Sequence, residues 1–198
     1  MKNLKIIKLL SWLVILFFCS NTVSGQFQAN MLFTLSNIQK EFKVFSDENR
    51  YRYEFNEDGQ EGVIIVLNET NEVFVLMPQQ KLAITTIPTS MMSMGNDPIK
   101  LYEYQVDQGG TEKVIGNEEV NGYDCVKKEL YGENNQLLYT MWYSDKYGFP
   151  IRIVSHIDVA GTTSMELKDI KSWTPDDASF TIPAGYTIMD QQSMMPEH

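Results

Sequence analysis

The chain has 198 residues, 43% of them hydrophobic and 21% charged, with 26 acidic against 16 basic side chains and a formal charge of −10. This balance excludes the clustered Lys and Arg on which nucleic-acid binding draws, and it disfavours charge-driven adhesion to anionic membranes. Any contact with lipid is expected to be apolar.

The first block, MKNLKIIKLLSWLVILFFCSNTVSGQ, places Lys2, Lys5 and Lys8 ahead of an apolar run from Leu9 to Cys19, followed by Val23-Ser24-Gly25. A basic start, a short apolar centre and small residues before a cleavage point predict a secretory signal over residues 1–25, removed on export. The run is about half the ~20 residues a spanning helix needs, so no stable transmembrane anchor is expected. Cys19 opens a lipoprotein reading, which the bulky Phe17-Phe18 before it disfavours. Cys125 is then the one cysteine left, and no intramolecular disulfide can form despite an oxidising destination. Residues 26–190 are expected to form a single domain and residues 191–198 a flexible tail.

Phe27, Met31, Leu32, Leu35 and Ile38 recur at helical intervals and predict a short amphipathic helix at the start of the domain. Turn signals then follow at short spacing: Asn56 to Gly59, Asn68 to Asn71, Pro78 to Gln80, Asn121-Gly122, Gly132 to Asn135, Asp145 to Gly148 and Asp158 to Gly161. They predict an antiparallel meander of about eight or more strands. The stretch IPTSMMSMGNDPIKLYEYQVDQGG interrupts it, and Asp97-Pro98 predicts the start of a short helix with Ile99, Tyr102 and Val106 on one face. Near the end, Thr174 to Asp177 carries a single-turn cap signal, and Pro183 with Gly185 bends the chain after Phe180 and Ile182.

The faces of the strands are more informative than their number. Tyr51 to Phe55 alternates aromatics with charges, as a strand with one wet side should. Val63 to Leu67 and Val73 to Met77 do not alternate. In LLYTMWY, Leu138 and Trp142 share one face while Tyr139, Met141 and Tyr143 share the other. Strands apolar on both faces must be covered on both, so the sheet is expected to curl or to take helical cover.

Several residues could in principle carry chemistry. Met91, Met92 and Met94, with Met189, Met194 and Met195, suit soft Cu(I) ligation, yet no His or Cys stands beside them, and pliable apolar filling is the plainer role. Cys125 and His156 form a conceivable thiol–imidazole pair, but both fall in expected strands, where cysteine is usually core. The pairs Glu118-Glu119 and Asp176-Asp177 read as solvated surface, and Asn68-Glu69-Thr70 is a sequon too short to carry weight. Phosphate-loop, dinucleotide, zinc and nucleophile-elbow patterns do not occur.

The order VFVLMPQQK, VNGYDCVKKELY, LLYTMWYSDKYGFPIRI and ELKDIKSWTPDDASFTIPAGY, within about residues 39 to 190, resembles the secreted bacterial domain-of-unknown-function 4412 family. That family is similar in turn to the outer-membrane lipoprotein carriers LolA and LolB. The resemblance implies an α+β, predominantly antiparallel fold: an open, incomplete β-barrel of LolA-like type with a few short helices on its concave face and an apolar cavity that accepts acyl chains. It implies no catalytic residues. The expected function is non-enzymatic binding of an apolar ligand, a lipid or lipidated protein segment, in the periplasm, at the outer membrane or outside the cell. Candidate lining residues are Phe74, Leu76, Tyr139, Met141 and Trp142, with Met91, Met92 and Met94 as a lid; no cofactor is expected. The alternatives are an interaction domain with a filled interior and no ligand, and a Met-based Cu(I) binder.

Overall fold

In the computed structural model of the chain, the described residues are 25–36, 38–86, 97–157 and 163–191. Nearly all of the expected leader, together with Met91, Met92, Met94, Met194, Met195 and the whole Asp158 to Gly161 turn, lies outside them.

Strands β1 (Phe27–Leu35), β2 (Ile38–Asp47), β3 (Arg50–Glu57), β4 (Gln60–Leu67), β5 (Glu72–Met77) and β6 (Leu82–Thr86) lead to helix α1 (Pro98–Asp107). Then come β7 (Thr111–Val120), β8 (Tyr123–Tyr131), β9 (Leu137–Ser144), β10 (Phe149–Ser155), β11 (Thr163–Ser172) and β12 (Thr187–Asp190). All twelve strands form one sheet in the order β12-β6-β5-β4-β3-β2-β1-β11-β10-β9-β8-β7. Neighbours are antiparallel apart from β12, which runs parallel to β6. The sheet is open, with β12 and β7 at its two edges. Tight turns use left-handed residues where the sequence offers Asn, Asp and Gly, as at Asp58-Gly59 (φ 51° and 82°) and Asn121-Gly122 (φ 54° and 81°).

The start of the domain is a correction. Residues 27–35 form strand β1, where the sequence pattern predicts a helix. A spacing of four fits period two as well as period 3.6, so Phe27, Met31 and Leu35 do not distinguish them. β2 and β11 flank β1 and supply ladder bonds on both sides. Phe27, Ala29, Met31 and Phe33 all point into the core.

One face of the sheet is concave. Tyr51 on β3 and Phe149 on β10 lie four strands apart in the sheet, yet their ring centroids are 5.6 Å apart. A flat sheet with ~4.8 Å between strands would hold them about 19 Å apart. This inner face carries the main core, which includes Phe27, Met31, Val44, Tyr53, Val66, Leu130, Met165 and Leu167.

α1, the one α-helix among the described residues, packs on that face, with Ile99 and Tyr102 joining the core. Its start follows the sequence signal: the Asp97 carboxylate accepts from the backbone N–H of Ile99 (2.9 Å) and Lys100 (3.2 Å), and Pro98 occupies the first turn.

The outer face of β4 to β6 is covered by the chain's own C-terminal strap, residues 173–186. Phe180, 1% exposed, sits among Val63, Ile65, Leu76 and Ala83. The Arg50 guanidinium stacks on Phe180 at 4.4 Å and pairs with Asp177 at 2.7 Å, while Arg52 donates to the Ser179 carbonyl at 2.7 Å. A short 3-10 turn, Asp177–Phe180, is capped by Asp176, inside the Thr174 to Asp177 signal but not at its first residue. Beyond it the strap continues into β12.

Candidate ligand-binding face

The inner face divides into a half under α1 and a half beyond it. α1 is tied at its start to β3: Tyr51 donates to Asp97 at 2.7 Å and Tyr53 at 3.4 Å. Lys100 reaches Asn68, in the β4–β5 turn, at 2.8 Å, and Glu103 at 2.7 Å. Farther along, Tyr102 meets the Tyr139 ring of β9 at 5.7 Å and donates to Glu112 of β7 at 2.7 Å. Burial raises the Asp97 carboxyl to about 6, outweighing the Tyr51 and backbone hydrogen bonds that favour its charged form. The same burial, beside that carboxylate, holds the Tyr51 and Tyr53 hydroxyls well above the usual phenol range.

At the opposite end of β1 to β6 the inner face is a wall of aromatics. Phe33 meets Phe42 edge-on at 6.2 Å, and Phe42 meets Phe55 at 5.7 Å, a ladder across β1, β2 and β3. The Phe55 ring extends over Gly62 of β4, where an added Cβ would stand 2.1 Å from it. Glycine at 62 is therefore what lets the ladder reach β4. Around this wall stand apolar side chains that keep solvent contact. Ile38, on the inner side of β2 four residues before Phe42, is 60% exposed. Met77, which continues the inner row of Val73 and Val75, is 36% exposed. Leu35 and Phe55 are half-buried. Lys40 and Glu57 form an ion pair of 2.7 Å on the same rim.

The sequence-derived candidates do not gather here. Tyr139 and Met141 are buried in the inner-face core, near the α1 half. Phe74 and Leu76 lie on the outer face beneath the strap. Trp142 lies in a separate outer cluster with Val120, Cys125 and Ile151. It is flanked by Lys127 and Arg152, each 5.1 Å from its ring, and its indole donates to Glu118 at 3.0 Å. Phe42 and Phe55 were missed because each lies in a strand that alternates with charge or polarity, the pattern of ordinary half-buried sheet, and Phe33 because the spacing of its segment predicts a helix whose apolar face omits it. The signal available was Gly62 within β4, a glycine that marks close approach by another group.

Cys125 and His156 have separate partners: the thiol is near the Tyr123 carbonyl at 3.3 Å, and His156 Nε2 bonds Thr140 at 2.9 Å. Burial pushes the Cys125 thiol up to about 11, so it stays protonated near neutral pH. A depression of about 590 Å³ on β1 to β4 is lined by Asn30, Lys43, Arg52, Glu54, Glu61 and Val63 of the outer face and also by Phe42, Phe55 and Gly62. No helix among the described residues is long and apolar enough to cross a membrane.

Residues 131–186 match the model of a domain of unknown function, DUF4412. The resemblance read from the sequence is thereby shown, on the segment that holds β9, β10, β11 and the strap. An uncharacterised conserved protein from Thermus thermophilus has a similar structure, with TM-score 0.57 and 10% identity over 86% of this chain and 93% of that one. A chain of the MucA/MucB complex of Pseudomonas aeruginosa is similar at TM-score 0.52 and 11% identity, over 82% of this chain but 57% of the matched chain. A LolA superfamily protein from Nitrosomonas europaea superposes at TM-score 0.42 and 14% identity, over 80% and 91% of the two chains. No curated protein matches the sequence. The DUF4412 match is confined to residues 131–186, and the first two structures show the fold of the open sheet.

Proposed function

We propose that this is an exported, non-enzymatic protein that binds an apolar ligand of the acyl-chain kind on the concave face of a LolA-like open barrel. The observation that carries the reading is the contrast between the two faces of the sheet: the outer apolar surface of β4 to β6 is sealed by the strap, whereas the inner row of buried Phe33 and Phe42 and half-buried Phe55 ends in exposed Ile38 and Met77. Aliphatic chain laid on this wall gains about 25 cal/mol per Å² of apolar surface removed from water. Tyr139 and Met141 continue the same face toward α1 and would wall a longer chain. Export brings such a protein to the compartments where lipids and lipidated proteins move between membranes, consistent with the leader-like residues 1–25.

The test is uptake of a fluorescent fatty acid by residues 26–198. Phe55→Ala is expected to weaken uptake at least fivefold, about 1 kcal/mol, while Trp142→Ala, on the outer face, leaves it unchanged. Equal uptake by wild type and Phe55→Ala, with both folded by circular dichroism, removes the concave site. A second reading, an interaction domain with a filled interior, is favoured by the mostly charged and polar lining of the 590 Å³ depression. Absence of any bound lipid in native mass spectra, together with no fatty-acid uptake, decides for it.

A further inference from the structure

A single ion pair stands on the otherwise uncharged inner wall of β1 to β6. Cross-strand register and side-chain alternation place Phe27, Ala29, Met31, Phe33 and Leu35 of β1 inward, opposite Ser46, Val44, Phe42, Lys40 and Ile38 of β2. The inward row of β3 is Tyr51, Tyr53, Phe55 and Glu57, and β4 adds Gln60, Gly62, Ile64 and Val66 across from it. β5 and β6 add Val73, Val75 and Met77 with Leu82, Ile84 and Thr86. Among these described positions Lys40 is the one cation and Glu57 the one carboxylate. They pair at 2.7 Å, each about two-fifths exposed, with Lys40 directly opposite Phe33 and two residues from both Ile38 and Phe42.

We infer that Lys40 and Glu57 are the headgroup site of the proposed ligand face, and that the ligand class is a zwitterionic amphiphile with a phosphate and an ammonium, as in a phosphoethanolamine lipid. The inference rests on the acyl-chain reading above and adds the polar end to it. An acyl chain on the Phe33–Phe42–Phe55 wall emerges at the rim where the pair stands. A headgroup of both signs can enter by exchange of partners: the Lys40 ammonium donates to phosphate oxygens and the ligand ammonium donates to the Glu57 carboxylate. Every charge then keeps a partner and the net charge of the rim does not change. An anionic headgroup takes Lys40 but strands Glu57, and it adds negative charge to a chain already at −10. A cationic headgroup strands Lys40 in the same way. Half-exposed ion pairs are worth up to about 1 kcal/mol, which bounds the discrimination at roughly fivefold.

Isothermal titration below the micelle concentration tests this with three probes of one acyl chain: lysophosphatidylethanolamine, lysophosphatidylglycerol and monoacylglycerol. Wild type is expected to bind the ethanolamine lipid about fivefold tighter than either other probe. Glu57→Gln is expected to remove its advantage over the glycerol lipid, because no carboxylate is left stranded by an anion. Exchanging the pair, Lys40→Glu with Glu57→Lys, is expected to preserve the preference. Equal affinity of wild type for all three probes overturns the headgroup site while leaving the apolar wall standing, and so does a preference that Glu57→Gln does not alter. Failure of all three to bind overturns the acyl-chain reading itself.

Discussion

The two faces of β4 and β5 are equally apolar in composition but differ in cover. On the outer side Val63, Ile65 and Leu76 lie under Phe180, with Arg50 and Arg52 clamping the strap that carries it. On the inner side the cover among the described residues is α1, which crosses from Tyr51 to Tyr139, while Ile38 and Met77 at the other end are exposed. The difference teaches that two-faced strands mark only a need for cover. Whether a face belongs to the core or to a ligand is decided by how far the covering segment reaches.

The sharpest way to break this comparison is to remove the outer cover. Phe180→Ala deletes a 1% exposed aromatic from a site lined by aliphatic side chains of β4, β5 and β6, and large-to-small changes of this kind cost about 3–5 kcal/mol. Urea unfolding should show that loss. Ligand uptake, measured where the variant remains folded, should be unaffected, since the strap lies on the opposite side of the sheet. A loss below about 1 kcal/mol, well under the usual range for a buried aromatic, would mean that the strap only rests on the sheet.

The inner cover can be probed through its anchor. The buried Asp97 carboxyl titrates near 6 in the folded protein, above its ordinary value of 3.8. Below about pH 3.8 it is protonated whether the chain is folded or not, and its full contribution to stability is present. As pH rises through 6 the folded state must ionise a buried group that the unfolded chain ionised earlier, so stability falls, by roughly 3 kcal/mol in all. Asp97→Asn keeps an oxygen for the Ile99 and Lys100 N–H groups and removes the ionisation. Between about pH 4 and 6.5 its stability should therefore show less downward slope than wild type; parallel pH profiles would show that Asp97 is not the group responsible.

Much of this arrangement was legible in the sequence. Asn, Asp and Gly turn pairs mark the hairpins because positive φ is cheap only there, and Asp97-Pro98 marks α1 because cap and first turn are local chemistry. The doubly apolar Val63–Leu67 and Val73–Met77 announced cover on both sides. β1 was not legible, since Phe27, Met31 and Leu35 satisfy both periodicities and β1 is committed to a strand by β2 and β11, the latter more than a hundred residues away. The ligand face was hidden for a related reason. Phe33, Phe42 and Phe55 become one surface only after three strands take register, and nothing local says which side of that surface curves inward.

The smallest expected effect on stability gives the finest test of the comparison. Ile38 is 60% exposed at the rim, on the same side of β2 as Phe42. If the inner wall were ordinary core, Ile38 would be a stray surface side chain, and Ile38→Ser would change neither folding nor binding. If the wall receives an acyl chain, the same substitution should still shift unfolding by no more than about 0.5 kcal/mol, because little of the side chain is buried in the free protein. Yet it should weaken fatty-acid uptake about fivefold, since roughly 40 Å² of apolar contact with the ligand is worth about 1 kcal/mol. Paired denaturation and titration of this one variant separate the two cases: a residue that matters to the ligand but not to the fold belongs to a face that the described residues leave open.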